Sequence, residues 1–261
     1  MSGWRGKLDQ GGELKPFLAH LEDLRHVLLR SALVLAIGTG LAIAYTPRIL
    51  AILKAPLGAV VENPDTFLRS MEVVGAFTAT MRIGLWSGLV LSAPFLVMII
   101  GAYLLPVLTA SERRAVGGVG AFGVVLFLFG VWMGYRFTLP FALSTLFAMH
   151  SWLGIQAEWT ITSYVTFATQ LLVAFGLAFE LPVILLILGR LRIISSRWLR
   201  EYRRHAIIVI LIIGAVLTPP DIFSQLLMSV PLILLYELCV WIVWSWERAR
   251  GEEGAGPADA S

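Results

Sequence analysis

The sequence predicts an all-α integral membrane protein with six transmembrane helices, both termini in the cytoplasm, and a short fifth helix in a tight hairpin with the sixth. Of its 261 residues 58% are hydrophobic and only 14% are charged, more apolar surface than a soluble domain of this size buries. The apolar residues form six separate runs. Lysine and arginine are also divided unequally between the loops predicted on one side of the membrane and those on the other.

Five of the six apolar runs are long enough to span a bilayer, because a helix needs about 20 apolar residues to cross a hydrocarbon core of about 30 Å. The fifth run falls short, since its stretch from Ala206 to Leu217 rises only about 18 Å as a helix. We expect it to thin the bilayer locally or to rely on Arg203 and Arg204 reaching the headgroups. In order, the runs cover residues 27–46, 74–105, 115–141, 161–189, 205–218 and 222–244.

The fifth and sixth runs are separated only by a short polar turn. It consists of Thr218, Pro219, Pro220 and Asp221. Two consecutive prolines cannot continue a helix, so this segment predicts a structural turn between two antiparallel helices.

The orientation follows from the positive charges. If the N-terminus, the second and fourth loops and the C-terminus share one side, that side carries fifteen of the twenty lysines and arginines. Six of the fifteen lie in the fourth loop, between Arg190 and Arg204. Positive charge is retained on the cytoplasmic side, so both termini are predicted to lie there, in a multi-pass protein of the cytoplasmic membrane.

The predicted membrane domain covers residues 17–246. The first part of the chain, residues 1–16, and the tail, residues 247–261, are polar or rich in glycine, and we expect them to be disordered in the cytoplasm.

No motif in the chain predicts an enzyme, a cofactor site, a metal site or a nucleic-acid partner. A G-x-G-x-x-G pattern at 118–123 lies inside an apolar run with no strand before it. Such small residues are typical of closely packed membrane helices, as are the G-x-x-x-G pairs at 84–88 and 130–134.

Acidic residues are the informative polar groups, and the first of them precede the first span. Residues 17–28 form an amphipathic stretch in which Glu22, Asp23 and Arg25 lie on the polar side. Glu22 has Arg25 and His26 within one helical turn, which makes an ordinary intrahelical pair the simple interpretation. Asp23 has only His26 at that spacing, so its carboxylate is comparatively free.

Three further carboxylates follow. Glu112 fits a capping box with Thr109, and a structural cap and a functional carboxylate are about equally supported there. Glu180 lies well inside the fourth span, where an ionised group costs about 2.5–3.5 kcal/mol, so a function is favoured. Glu237 lies nearer the end of the sixth span, where reaching the headgroups is an equal alternative.

Six motifs in order resemble the TatC family, the multi-spanning receptor subunit of the twin-arginine protein translocase. The resemblance runs from about His20 to Trp244. The motifs are His20-Leu21-x-x-Leu24-Arg25, Ala55-Pro56-Leu57, Ser92-Ala93-Pro94, Glu112-Arg113-Arg114, Phe175-Gly176-x-x-Phe179-Glu180-Leu181-Pro182 and Leu217-Thr218-Pro219-Pro220-Asp221-x-Phe223-Ser224-Gln225.

The resemblance implies a translocase, driven by the proton-motive force, that exports folded proteins whose signal peptides carry consecutive arginines. It implies a cytoplasmic acidic pair as the signal-peptide site, which falls on Asp23 and Glu112. The family usually has glutamate at the first position, so Glu22 is a candidate to share the role, and Arg25 to orient the carboxylates.

The partners implied are single-span subunits of the TatA and TatB type, twin-arginine signal peptides, membrane lipid and further copies of the chain. Partner docking is placed at the short hairpin, where Thr218 and Gln225 match. Glu180 matches the intramembrane acidic residue of the family.

Two other functions fit parts of the sequence. A proton-coupled small-solute transporter would use Glu180 as its titrating group, but no internal repeat or matched pair of broken helices supports it. A passive assembly scaffold would explain the glycine motifs and predicts that the cytoplasmic carboxylates are replaceable.

Overall fold

The computed structural model describes the backbone of residues 10–104, 110–217 and 222–254. The side chains are described for the same ranges apart from residues 10–21, 23, 65, 101–104, 110–117, 119 and 250–254. Long helices dominate this part of the chain, and the predicted all-α class is confirmed. Within it β-type pairing is limited to one isolated bridge between Arg69 and Thr160.

The first half of the described chain contains three long helices, with short elements between the first and the second. These elements are α1 (Gln10–Ala44), α2 (Thr46–Lys54), a 3₁₀ helix (Ala55–Ala59), α3 (Pro64–Phe67), α4 (Gly75–Leu104) and α5 (Ala110–Met133). The remaining elements are a π-helical segment (Gly134–Thr138), α6 (Leu139–Trp152), α7 (Ile161–Ala178), α8 (Leu181–Arg190), α9 (Ser196–Glu201), α10 (Arg203–Leu217) and α11 (Ile222–Gly254).

Five stretches of the described helices are long and apolar enough to cross a membrane. They are Leu24–Ala44, Gly75–Ile100, Gly120–Trp152, Ile161–Arg190 and Ile222–Ala249. These match five of the six predicted spans. The remaining predicted span, the fifth, corresponds to α10, whose 15 residues rise about 22 Å, so its short length agrees with the sequence. Helical backbone extends beyond the suggested domain limits of 17 and 246, since α1 begins at Gln10 and α11 ends at Gly254.

Two of the predicted spans are not continuous α-helices. The third changes to π-helical geometry at Gly134–Thr138, just before Pro140, which lacks the N–H that an α-helix would use at that position. The fourth is divided into α7 and α8 by a turn at Phe179 and Glu180. By contrast, Pro94 and Pro231 lie inside helices that continue past them.

The helices pack around α7, which is the most buried of the spans. Leu171 and Phe175 of α7, and Phe179 in the turn that follows it, are almost completely inaccessible. α4 packs between α1 and α7, α5 covers α7 and α8, and α11 joins α8, α9 and α10. The core is therefore continuous from α4 to α11, while α1 lies at the edge and contacts mainly α4.

Glycines bring α1 and α4 close together. A Cβ atom at Gly88 would lie 2.6 Å from the Cα atom of Thr39, and one at Gly84 would overlap the side chain of Ile43. Gly130 is held similarly against the carbonyl oxygen of Phe175, at 2.8 Å. The glycine pairs of the sequence therefore permit close helix packing. Gly118 and Gly120 differ, because a Cβ atom there would have no neighbour within 4 Å among the described atoms.

We expect Gly88→Ala to destabilise the protein by about 1–3 kcal/mol, because the added methyl group meets rigid backbone rather than a movable side chain. The matched control is Gly40→Ala in α1, where a Cβ atom has nothing within 4 Å. That control is expected to be neutral or stabilising by up to about 1 kcal/mol through helix propensity. Thermal denaturation of the purified variants in detergent measures both. Equal effects of the two substitutions would contradict the close-contact interpretation.

Candidate functional site

The antiparallel contact between α1 and α4 determines where position 23 lies. Ser92 donates a hydrogen bond to the carbonyl oxygen of Val34 at 3.1 Å, and Gly88 packs on Thr39. Continuing this register towards the start of α1 brings position 23 level with the last turn of α4. The chain leaves α4 there and re-enters a helix at Ala110, so position 112, in the first turn of α5, follows directly.

The two positions predicted to bind the signal peptide are thus at the same end of the bundle. The side chains of Asp23 and Glu112 lie outside the described residues. Glu22 and Arg25, their predicted helpers, are both exposed on α1. Exposure of this part of α1 is what a binding surface for a peptide requires.

Glu180 occupies the turn that divides the fourth span. The N–H of Glu180 donates to the carbonyl oxygen of Leu177 at 3.1 Å, and its own carbonyl accepts from the N–H of Ile184 at 3.1 Å. Pro182, the second residue of α8, has no N–H to offer to the preceding turn. The hydrogen-bond pattern of the α-helix is therefore interrupted at Glu180.

The carboxylate of Glu180 lies against α5. A Cβ atom at Gly123 would be 3.1 Å from Oε2 of Glu180 and 3.2 Å from Cγ1 of Val183. Oε1 of Glu180 is buried and has no hydrogen-bond partner among the described residues. An unpartnered buried carboxyl oxygen is costly, and such a cost is typical of a functional group rather than a structural one.

Glu237 has a partner, unlike Glu180. Its two carboxylate oxygens accept from Nε and Nη2 of Arg203, each at 2.8 Å. The pair links α11 to the first turn of α10, and its bidentate geometry is the strong form of an arginine–carboxylate contact. Glu237 therefore has a structural explanation within the described chain.

The short hairpin is held together from within. The side-chain amide of Gln225 donates to the carbonyl oxygen of Leu211 at 3.1 Å, and Gly214 allows Ser229 to approach α10. The predicted docking residue Thr218 and the turn residues Pro219, Pro220 and Asp221 lie outside the described residues. Near the turn, Val216, Ile222 and Phe223 are among the most exposed apolar side chains, at 77%, 74% and 70%.

Two tyrosines that no sequence motif indicated hold the segment after α1 against the bundle. The hydroxyl of Tyr135 donates to the carbonyl oxygen of Ile52 at 2.8 Å, and that of Tyr164 to the carbonyl oxygen of Leu53 at 2.5 Å. Pro56 lacks the N–H that these carbonyls would receive in α-helical or 3₁₀ geometry. Because Pro56 has no N–H to donate to these carbonyls, this proline was the available signal in the sequence.

We expect Tyr164→Phe to lower the free energy of unfolding by about 1–2 kcal/mol, because it removes a buried hydrogen bond to the carbonyl of Leu53. Tyr135→Phe should cost less, since its bond lies at the exposed rim. Tyr45→Phe, which removes the hydroxyl of a half-exposed tyrosine, is the control. Thermal denaturation in detergent provides the measurement. A larger loss in Tyr45→Phe than in Tyr164→Phe would contradict the assignment.

A second unforeseen contact holds the fourth loop to α11. The carboxylate of Glu247 accepts from the backbone N–H of Ser196 at 2.9 Å and from the Ser196 hydroxyl. Arg200 donates to the carbonyl and hydroxyl oxygens of Ser196, at 3.2 Å each. A carboxylate at the start of α9 satisfies the free N–H of Ser196, so Glu247 holds this basic loop against α11.

Comparison with known proteins is consistent with this architecture. The model of the family described as Sec-independent protein translocase protein (TatC) matches residues 19–231. The TatC protein of Carboxydothermus hydrogenoformans is 35% identical over 225 residues, which are 85% of this chain and 90% of that protein. The TatC protein of Deinococcus radiodurans is 34% identical over 94% of this chain and 92% of its own length.

Solved structures show the same similarity in three dimensions. A crystal structure of the twin-arginine translocase receptor TatC in the detergent DDM superposes with a TM-score of 0.74 at 29% identity. It covers 85% of this chain and 98% of the crystallised one. A second crystal structure of the twin-arginine translocase receptor TatC gives a TM-score of 0.72 at 30% identity.

Proposed function

Because this chain belongs to the TatC family of Sec-independent protein translocase proteins, we propose that it is the twin-arginine signal-peptide receptor and core subunit of its translocase. The translocase exports folded proteins across the cytoplasmic membrane and draws on the proton-motive force. The family match confirms the resemblance found in the sequence and favours this function over a small-solute transporter. In this role the chain binds signal peptides and takes part in moving the exported protein, and it carries out no catalytic chemistry of its own.

The observation that supports the receptor role most directly is the α1–α4 register. It brings positions 23 and 112 to one end of the bundle although 89 residues separate them in the sequence. Two adjacent arginines present two planar guanidinium groups, and each is bound best by its own carboxylate in bidentate geometry. We propose that Asp23 and Glu112 supply these carboxylates, with Glu22 and Arg25 beside them on α1.

We propose six spans, with both termini in the cytoplasm. The short α10 crosses as the fifth, supported by Arg203 and Arg204 at its first turn, where long basic side chains reach the headgroups. The six arginines between positions 190 and 204 favour the cytoplasmic side for the fourth loop.

We propose that single-span subunits of the TatA and TatB type dock near the short hairpin, beside Thr218 and Gln225. The strongly exposed Val216, Ile222 and Phe223 support this surface. Further copies of the chain join the assembly. Glu180 would act within the membrane, because its Oε1, which has no partner among the described residues, is available to a polar group of a partner.

The receptor role is tested with the purified full chain and a fluorescent signal peptide. We expect a peptide with two consecutive arginines to bind at least about 100-fold more tightly than one with two glutamines, since each charged hydrogen bond contributes about 1.5–3 kcal/mol. A peptide with two lysines should bind with intermediate affinity, because it keeps the charge but loses the bidentate geometry. Equal binding of all three peptides would refute the receptor assignment.

A further inference from the structure

One charged side chain lies inside the apolar part of α4. Arg82 follows the first residue of this helix, Gly75, by seven positions, which is about 10 Å along the helix axis. It is the only lysine, arginine, aspartate or glutamate of α4, in a stretch that is otherwise apolar enough to cross a membrane. An ionised group at such a depth is costly unless polar partners accept its hydrogen bonds.

The guanidinium group of Arg82 has one hydrogen-bond partner among the described residues. Its Nη1 donates to the hydroxyl oxygen of Thr166 on α7 at 2.6 Å, and that hydroxyl donates in turn to the carbonyl oxygen of Thr162 at 2.6 Å. A guanidinium group has five N–H donors. The other four therefore have no acceptor within the described part of the chain.

A second polar side chain lies beside Thr166 on the surface of α7. Gln170 follows Thr166 by four positions, so the two residues share one side of the helix. Gln170 is exposed, and its amide makes no hydrogen bond with the described residues. Apolar side chains border this pair, since Leu85 of α4 is 49% exposed and Leu177 of α7 is 54% exposed. We call Arg82, Leu85, Gln170 and Leu177 the α4–α7 surface.

The two polar groups of this surface lie deeper than the helix ends. The hydroxyl of Thr162 donates to the carbonyl oxygen of Gly75 at 3.3 Å, so α4 and α7 begin at about the same level. Gln170 is nine residues into α7, about 13 Å from that end. In a bilayer this depth is hydrocarbon, in which an amide and a guanidinium group find no acceptor. The α4–α7 surface is therefore incomplete without a polar partner inside the membrane.

We propose that the α4–α7 surface binds a transmembrane helix of another protein that carries a carboxylate at the depth of Arg82 and Gln170. A carboxylate accepts two parallel hydrogen bonds from a guanidinium group, and the amide of Gln170 donates to the same acceptor. Hydrogen bonds between helices contribute to association in membranes, and Leu85 and Leu177 supply the packing contacts around them. The surface is separate from the short hairpin and from Glu180, so the proposal does not rest on docking there.

A second copy of this chain does not supply the carboxylate from its described spans. The acidic residues of those spans are Glu180, Glu237 and Glu247, and the last two are bound within the chain. Glu180 lies 14 residues after Thr166, about 20 Å further along the fourth span. Copies in one membrane share one orientation, so this carboxylate would lie too deep. The occupant is therefore a different chain.

The charge part is tested with the full chain in phosphatidylcholine vesicles and a designed single-span peptide. The peptide is a leucine–alanine helix with one glutamate about 12 Å from its end, and the reference peptide has leucine there. We expect the glutamate peptide to bind at least about tenfold more tightly, measured by energy transfer between dyes on the peptide and the chain. Arg82→Met should remove this preference, whereas Arg48→Met, at an exposed position of α2, should leave it intact.

A merely structural role of Arg82 gives a different result. Arg82→Met should keep the melting temperature of the chain or raise it, because methionine suits an apolar surface better than a charge does. Equal binding of the two peptides to the parent chain, or an unchanged preference in Arg82→Met, would overturn the proposal.

The location is tested by disulfide crosslinking. The single cysteine of the chain, Cys239, is buried, so a cysteine added at the surface reacts alone. Leu85→Cys should crosslink to a cysteine beside the glutamate of the peptide. Leu41→Cys, exposed on α1 at a similar depth because Ile43 packs on Gly84, should not. Equal crosslinking at both positions would contradict the location.

A lipid headgroup is the other possible acceptor, and the vesicle composition distinguishes it. Adding phosphatidylglycerol should leave the preference for the glutamate peptide unchanged, because a phosphate at the headgroup level does not reach Gln170. If phosphatidylglycerol removes the preference, Arg82 binds a lipid phosphate and the proposal is wrong.

Discussion

Replacing Asp23 and Glu112 together with alanine is expected to weaken signal-peptide binding by at least about 100-fold and to abolish export. Each substitution removes the acceptor of a charged hydrogen-bond pair, and such pairs contribute about 1.5–3 kcal/mol each. The single variants should each lose about tenfold or more. Crosslinking of a labelled twin-arginine peptide to the membrane-inserted chain measures binding, and appearance of a folded substrate outside the membrane measures export.

Two controls separate recognition from general charge effects. Glu62→Ala with Glu72→Ala removes the same charge from the outer segment between α2 and α4 and should leave binding unchanged. Asp23→Glu should retain binding, because it keeps the carboxylate. Glu22→Ala shows whether the neighbouring carboxylate shares the role. Normal crosslinking in the Asp23 and Glu112 double variant, with the protein still inserted, would exclude these residues as the receptor site.

Glu180→Leu is expected to reduce export at least about tenfold while leaving signal-peptide crosslinking intact. The substitution removes a carboxyl group whose Oε1 is buried without a partner in the described chain, and a charged contact with another subunit would contribute that much. Stability should stay the same or rise, because leucine suits an apolar site better than a carboxyl group does. A loss of export without a loss of stability therefore points to function.

The contact with Gly123 provides an independent test of the same site. Gly123→Ala should shift the Glu180 carboxylate, because the added methyl group would lie 3.1 Å from Oε2, and it should reduce export less than Glu180→Leu does. Leu177→Ala, at an exposed position one turn earlier, is the control. Co-purification of single-span subunits shows whether the defect lies in assembly. Full export by Glu180→Leu would reduce Glu180 to a structural role.

Much of the fold was predictable because hydrophobicity along a chain is a local property. Whether a segment can enter a membrane depends mainly on the hydrophobicity of its own residues. Five of the apolar runs correspond to helices long enough to cross a membrane. The short length of α10 was predictable for the same reason. Pro182 indicated a disturbance of the fourth span, but that the α-helix is interrupted at Phe179 and Glu180 became visible only in the structure.

The contacts of polar groups were less predictable. Glu180 and Glu237 are both acidic residues in apolar runs and look similar in the sequence. The structure pairs Glu237 with Arg203 and leaves Oε1 of Glu180 without a partner in the described chain. The bond from Tyr164 to Leu53 spans 111 positions of the sequence. No local pattern encodes such a bond, since it depends on which helices become neighbours.

The sequence by itself determined that this protein is an all-α membrane protein, where its apolar segments lie and which family it resembles, because these depend on residues read within single segments. Only the tertiary structure decided that the Glu180 carboxylate rests on Gly123 and that Glu237 pairs with Arg203. The physical reason is close packing. Helices distant in the sequence settle into one register because glycines such as Gly88 allow the backbones to touch there.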